Sequence, residues 1–260
     1  MTLLSAVPTL VLGVVMVALT VLLAVAGLLL VRRAVPVSIL AAHNDVAGFI
    51  YAVLGVLYAV LVPFVLVIVW EEFRDAQTDV AREAQILLAP QQDARHLPDP
   101  LAARLIDLER RYTQAVITDE WPRLAHGEQS PTVDTALENL AAGIRAVDPA
   151  DPRQAVVYDH LLQQLDALGG QREAVAIDSR TAVPPLIWLV LLLGGLVVVG
   201  YTYLYGVERL RAQVAMTSAL TIVIALALFV ILALDYPFTG DLRVRPDDLV
   251  HILTALGPPS

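Results

Sequence analysis

Three carboxylates spaced one helical turn apart offer the clearest chemistry in this chain. Glu71, Asp75 and Asp79 recur at i, i+4 and i+8, with Glu72 beside them. On a helix they stack along one face. Like charges at that spacing oppose an isolated helix by about a few tenths of a kcal/mol each. Repeated around the axis of an oligomer, each would become an acidic ring that concentrates cations and repels anions. The oxygens of Glu71, Glu72 and Asp75 would also suit Ca²⁺, a hard cation that takes oxygen ligands. The plain alternative is a solvated helix face whose charges pair locally with Arg74 and Arg82.

These acids stand at the exit of an apolar stretch, residues 46–70, that is long enough to cross a bilayer as a helix. Within and before it, Asn44, Gly48, Tyr51, Gly55, Tyr58 and Val62 follow a 4-3-4-3-4 spacing and so share one face. Small residues on one face let a neighbouring backbone approach closely. The stripe is more polar than the Val, Leu and Ile around it. It is expected either to pack against another helix or to line a pore, with Val62, Val65 and Leu66 as an apolar gate. His43 and Asp45, at the other end of the span, would form the opposite mouth. Asn44 and Asp45 also suit a helix N-terminus as cap and dipole partner.

The rest of the composition narrows the class. The chain has 260 residues, 57% of them hydrophobic, with a mean hydropathy of +0.68. The apolar residues come in blocks, which marks an integral membrane protein. There is no cysteine, so disulfides and thiolate sites are excluded. All 17 basic residues are arginine, which points to a GC-rich bacterial genome. Residues 71–183 hold 20 acids and 11 arginines, and so carry the whole net charge of −9. Nucleic acid is not expected as a partner, because binding it needs a basic patch.

Taken in order, residues 1–70 hold two spans, about 7–31 and 46–70. The first lacks the basic start of a signal peptide and is stopped by Arg32 and Arg33. Residues 71–183 read as an acidic, all-helical soluble domain. The second span continues into it along Phe73, Ala76, Val80, Ala84 and Leu87. Further helices run along Leu101 to Val116, from Ser130-Pro131, and from Asp151-Pro152 to a break at Gly169-Gly170. Residues 184–235 hold the third and fourth spans, and 236–260 form a tail. The fold class is therefore an all-α membrane protein with four transmembrane helices and a helical bundle inserted between the second and third. Four spans put both termini on the side of the bundle. The arginine-bearing short loops 32–45 and 206–213 favour the bundle and termini outside a bacterial cell membrane.

Several short motifs carry a resemblance. They are His43-Asn44-Asp45 with the glycine/tyrosine helix, Trp70-Glu71-Glu72-Phe73 followed by Asp75-Ala76, and Glu83-Ala84. Glu120-Trp121-Pro122, Pro185 with Trp188, and Asp235-Tyr236-Pro237-Phe238-Thr239-Gly240 follow in order. Together they resemble the bestrophin-like membrane family of bacteria. The resemblance implies four spans around a helical insert. By a more distant analogy it implies an oligomeric channel like bestrophin, an anion-conducting pentamer whose second helix lines the pore and whose insert is cytoplasmic. Here the second span carries no basic residue and its mouth is acidic.

No metalloprotease helix, nucleophile elbow, phosphate loop or dinucleotide fingerprint occurs, so an enzyme is not expected. The absence of an internal repeat argues against a secondary transporter. The expected function is an oligomeric ion channel, a tetramer or pentamer, conducting cations past an acidic vestibule. A bestrophin-like anion channel and a non-conducting sensor or scaffold are the alternatives. Membrane lipid and inorganic ions are the expected partners, and Ca²⁺ is the one cofactor the residues suggest. His96, His126 and His160 are isolated and expected at the surface.

Overall fold

A computed structural model describes residues 8–94, 97–149 and 151–256, with the side chains of 88–94 left out. His96 lies outside the described residues. Ten α-helices are seen among them, with one π-helical and one 3-10 turn: α1 Thr9–Ala34, α2 Val37–Ala41, α3 Asn44–Ala94, α4 Asp99–Ala115, α5 Trp121–Leu124, α6 Pro131–Arg145, α7 Pro152–Arg180, α8 Pro185–Tyr201, α9 Leu210–Leu234 and α10 Asp247–Ala255. Four helical stretches are long and apolar enough to cross a membrane. They are α1, the first part of α3, α8 and α9.

The chain divides into two compact units. The first comprises residues 1–71, 182–235 and 240–242, and the second residues 72–181, 236–239 and 243–260. Helix α3 runs unbroken from one into the other, so the stripe that was expected to leave the membrane does continue.

In the apolar unit, α1 packs along α9, and α8 packs against both. Aromatic side chains pack against glycines where helices approach. A Cβ on Gly13 would come within 2.8 Å of the Phe229 ring. Polar groups are tied to the backbone rather than to opposite charges. Asp235 is 3% exposed; it accepts from the Val183 N–H at 2.6 Å and the Trp188 indole at 3.2 Å. It therefore joins the end of α9 to the start of α8. Gln213 donates to the Tyr205 carbonyl at 2.9 Å, and the Arg32 guanidinium donates to the Val207 carbonyl at 2.8 Å.

The second unit is a helical bundle whose starts follow the sequence. Ser130 caps α6 by accepting from the Thr132 and Val133 N–H groups, and Asp151 caps α7 through Arg153 and Gln154. Proline follows each cap at the first helical position, where its missing N–H costs nothing. One expectation fails. Gly169-Gly170 does not break the chain, and α7 runs straight through for 29 residues. Each glycine costs a helix about 1 kcal/mol. Buried Leu161, Leu165, Leu168, Val175 and Ala176 on both sides of the pair outweigh that cost. Residues 236–260 are more than a tail, because α10 packs on α4 through buried Leu249 and Ile252. The buried Trp121 and Phe238 rings meet edge to face at 5.7 Å, so Trp121 is a packing residue.

Candidate functional site

Helix α3 has two faces within the apolar unit, and they are occupied differently. The Asn/Gly/Tyr face turns toward α8 and the loop after it. Tyr58 is 8% exposed; its hydroxyl donates to the Leu191 carbonyl at 3.1 Å, and its ring lies 2.9 Å from where a Cβ on Gly194 would stand. Tyr51 stacks on Tyr201 at 6.0 Å and meets Tyr205 edge-on at 5.7 Å. The side chain of Asn44 spans the backbone of Gly206, accepting from its N–H at 2.9 Å and donating to its carbonyl at 3.3 Å. That engagement replaces the expected helix cap. A Cβ on Gly206 would stand 2.2 Å from the Ala41 backbone nitrogen, so glycine is required there. Gly48 faces the Tyr205 hydroxyl, and Val62 is buried. Gly55 has open space around it.

The face expected to line a pore is thus largely filled inside one protomer. The reason is the one that made it conspicuous. In an apolar solvent, small residues and hydroxyls give a helix its closest and best hydrogen-bonded contacts with another helix, and α8 supplies the glycines and carbonyls they need.

The opposite face of α3 is free in the protomer. Phe49, Val53, Val56, Val60, Phe64 and Val67 recur at three- and four-residue intervals and are all exposed, Phe49 by 75% and Phe64 by 67%. Continuing four residues on, the same line reaches exposed Glu71. No cation lies on this stripe.

The acidic run beyond it is mostly solvated. Glu71 and Asp75 are exposed, and Asp79 pairs with Arg82 at 3.2 Å. At the other end of the span, Asp45 is exposed and His43 Nδ1 lies 3.1 Å from the Ile39 carbonyl. In the helical unit, Asp178 of α7 faces the acidic turn of α3. Burial pushes its carboxyl up to about 7, and the nearby carboxylates of Asp79, Asp75 and Glu72 push in the same direction. No group of three or more His, Asp or Glu side chains among the described residues is arranged to hold a metal ion. The acidic turn therefore offers Ca²⁺ a charge but no assembled ligand set.

The helical unit holds a second group of acids, in its core, to which the spacing assigned no role. Glu83, Glu109 and Glu120 are 2%, 1% and 3% exposed. Arg172 binds Glu120 through two nitrogens, at 3.0 and 3.3 Å, and Asp134 through a third at 2.6 Å. Glu120 enters this cluster from the π-helical turn Val116–Glu120, the rare helix type that recurs at functional positions. Glu83 accepts from the Tyr112 hydroxyl at 2.7 Å. Glu109 leaves Oε1 buried without a partner, and burial raises its carboxyl to about 8. A helical-stripe count could have found Glu83, which lies one turn from Val80 and Leu87 on the buried face of α3. Nothing in the local sequence marks Glu109.

The bestrophin-like domain family matches residues 18–249, nearly the whole chain. The chain belongs to the bestrophin-like family. No curated protein matches its sequence. Among solved structures, it is similar to a crystallised membrane protein at 12% identity, covering 92% of this chain and 96% of that one, with a TM-score of 0.68. It is also similar to single-residue variants of a bacterial bestrophin homologue from Klebsiella pneumoniae. Two of them align at 14% identity over 94% and 92% of this chain and 98% and 97% of theirs, each with a TM-score of 0.64. At these identities the likeness is one of fold. The bestrophin-like chain is thus an all-helical membrane protein with four apolar helices, as its motifs implied.

Proposed function

We propose that this protein is an oligomeric ion channel in which the outward face of α3 lines the pore. The observation that carries the reading is the continuity of that face. An unpartnered apolar stripe from Phe49 to Val67 runs directly into Glu71 on a helix whose other face is already filled. Gathered around an axis, the stripes make a narrow apolar passage that gates by dewetting, with a ring of carboxylates at one end. Kinship with bestrophin homologues supports both the channel and the oligomer. The pore residues differ from the face that sequence spacing favoured. Asn44, Tyr51 and Tyr58 serve the contact with α8 and its following loop, and Phe49, Val53, Val56, Val60, Phe64 and Val67 take their place along the axis.

The charge at the mouth favours cations. Glu71 and Asp75 are exposed, and no arginine occupies the stripe to hold an anion. The helical unit stands outside the membrane as the insert between the second and third spans. The arginines of the short loops favour placing it on the extracytoplasmic side. Because the chain lacks cysteine, Glu128→Cys gives a unique thiol at an exposed position. Labelling with a membrane-impermeant maleimide in intact cells supports this side, and its absence reverses it.

Ion flux tests the function. Purified protein in liposomes is placed under K⁺, Na⁺ and Cl⁻ gradients and compared with Glu71→Gln/Glu72→Gln. Cation flux that drops in the double variant is expected. Anion flux would overturn the charge argument while keeping the pore. No flux for any ion, from folded oligomeric protein, would leave a sensor or scaffold.

A further inference from the structure

The buried charges around Arg172 do not balance, and within that cluster the imbalance falls on Glu83. Arg172 is the cation of the cluster and is committed: three of its nitrogens contact Glu120 and Asp134. Asp134 is half exposed, so water shares its charge, whereas Glu120 is almost fully enclosed and takes the direct pair. Glu83 is enclosed as deeply as Glu120 and has a phenol for its partner. Facing it are the Tyr112 hydroxyl from α4, the Glu120 carboxylate from the π-helical turn, and Arg172 from α7 with Asp134 of α6 behind it. On its own helix, Asp79 and Arg82 pair with each other near the surface. An ionised Glu83 would be a buried anion with one neutral hydrogen-bond donor, and the attraction of the already committed Arg172 would be offset by the repulsion of Glu120. Buried charge without a direct partner is the arrangement proteins avoid, and the group takes a proton instead.

We propose that Glu83 is a proton-binding site: the packed bundle holds its carboxyl protonated, and release of that proton loosens α3 from α4. The geometry makes the site consequential. Glu83 sits among Val80, Ala84 and Leu87, the buried residues that seat the second half of α3 in the bundle, and α3 is also the helix that carries the second span. A charge at Glu83 therefore acts on the packing of that helix. Burial raises the Glu83 carboxyl to about 7; the Tyr112 hydrogen bond opposes this, and Glu120 and Arg172 act against one another. The proton is thus exchangeable near neutrality. Glu109 is a separate case, raised by burial to about 8.

The test uses the full chain in lipid nanodiscs. Infrared difference spectra between pH 5 and 9 follow the protonated-carboxyl band. Hydrogen exchange of peptides covering residues 76–87 and 105–117, corrected for intrinsic chemistry, follows opening. Wild type should lose a protonated-carboxyl component with a midpoint near 7. Between the ordinary 4.5 and that midpoint, opening should rise by about tenfold per pH unit, the linkage of one proton, and above the midpoint it should level off. Asp178 is also raised to about 7, so every chain compared carries Asp178→Asn; in that background Glu83→Gln keeps shape and removes the charge, so the component near 7 should vanish and the exchange should lose its pH dependence there. Glu109→Gln should remove a different, higher component and leave the one near 7. Tyr112→Phe deletes the hydrogen bond that favours the carboxylate, so the midpoint should move up. It serves as the second variant if Glu83→Gln fails to fold. The inference is overturned if Glu83→Gln retains the component near 7, or if the chain with Glu83 intact shows no protonated carboxyl that titrates near 7. It is also overturned if Tyr112→Phe leaves the midpoint in place.

Discussion

Helix α3 carries acids in two settings, and the contrast separates two uses of one residue type. Glu71 and Asp75 project from the helix into solvent, where high dielectric and mobile ions make each worth little by itself. Twelve residues beyond Glu71, Glu83 is enclosed among apolar side chains and a phenol. There the same carboxyl is expensive to ionise. Exposed acids can shape a field in numbers; a buried acid acts alone. The spacing rule that drew attention to Glu71, Asp75 and Asp79 detects a shared face, whereas the energetic weight in this helix lies with the acid that breaks the charge pattern of its own buried stripe.

The sharpest way to break the contrast is to remove the cation that the buried acids share. Arg172→Met should destabilise the helical unit by about 3–5 kcal/mol, because it leaves Glu120 buried and unpaired. Thermal unfolding followed by circular dichroism should show an early transition of that unit. Addition of Glu120→Gln should recover much of the loss, since the stranded charge goes with it. A loss below about 1 kcal/mol would mean that water reaches the cluster and that Glu120 is not truly enclosed.

Much of the fold was legible because membrane helices announce themselves by length. The four apolar stretches, the continuation of the second span beyond Trp70 and the starts at Pro131, Pro152 and Pro185 all follow from local rules. The Gly169-Gly170 break did not follow, because a helix-breaking propensity of about 1 kcal/mol per residue is small beside the packing of the turns on either side. Spacing separated the Asn/Gly/Tyr face of α3 from the apolar residues around it. Their assignment needed α8: whether a Tyr/Gly stripe meets water or a partner helix depends on whether another segment offers glycines at the matching height, and Gly194 and Gly195 do. Glu83 and Glu109 were hidden for a related reason. A lone acid on an apolar stripe looks like a helix edge until neighbouring helices close over it.

A second experiment sharpens the contrast through pH. Glu83 and Glu109 have folded-state values of about 7 and about 8, above the ordinary 4.5 of an unfolded chain. The folded form therefore binds more protons. Its stability is full below about 4.5 and falls as pH rises through 7 and then 8. The slope is about 1.4 kcal/mol per pH unit for each group that titrates between its two values. Denaturant midpoints of the helical unit should fall most steeply between pH 5 and 7, less steeply to 8, and level off above it, and Glu109→Gln should flatten the part between 7 and 8. Midpoints that rise with pH would place both carboxylates on hidden cations.

A smaller effect tests whether the face of α7 that carries Gly169 and Gly170 stays open. A Cβ at either position meets nothing within 4 Å in the protomer. Gly169→Ala should then raise the stability of the helical unit by about 0.5–1 kcal/mol through helix propensity alone. If it lowers stability or dissociates the oligomer, a neighbouring copy approaches that backbone closely, and the glycines are kept for contact between subunits.

The smallest expected change in stability is at the exposed acids themselves. Glu71→Gln removes a charge from a solvated face and should shift unfolding by no more than about 0.5 kcal/mol in either direction. In flux, the order reverses. If the stripes of α3 gather around a pore, Glu71 is multiplied into a ring, and its neutralisation should lower cation flux most steeply at low ionic strength, where the screening length is long. A loss that is equal at low and high salt would argue for direct binding at the mouth rather than a field. A residue that is nearly silent in unfolding yet salt-dependent in conduction is what an exposed carboxylate can be, and what a buried one such as Glu83 cannot.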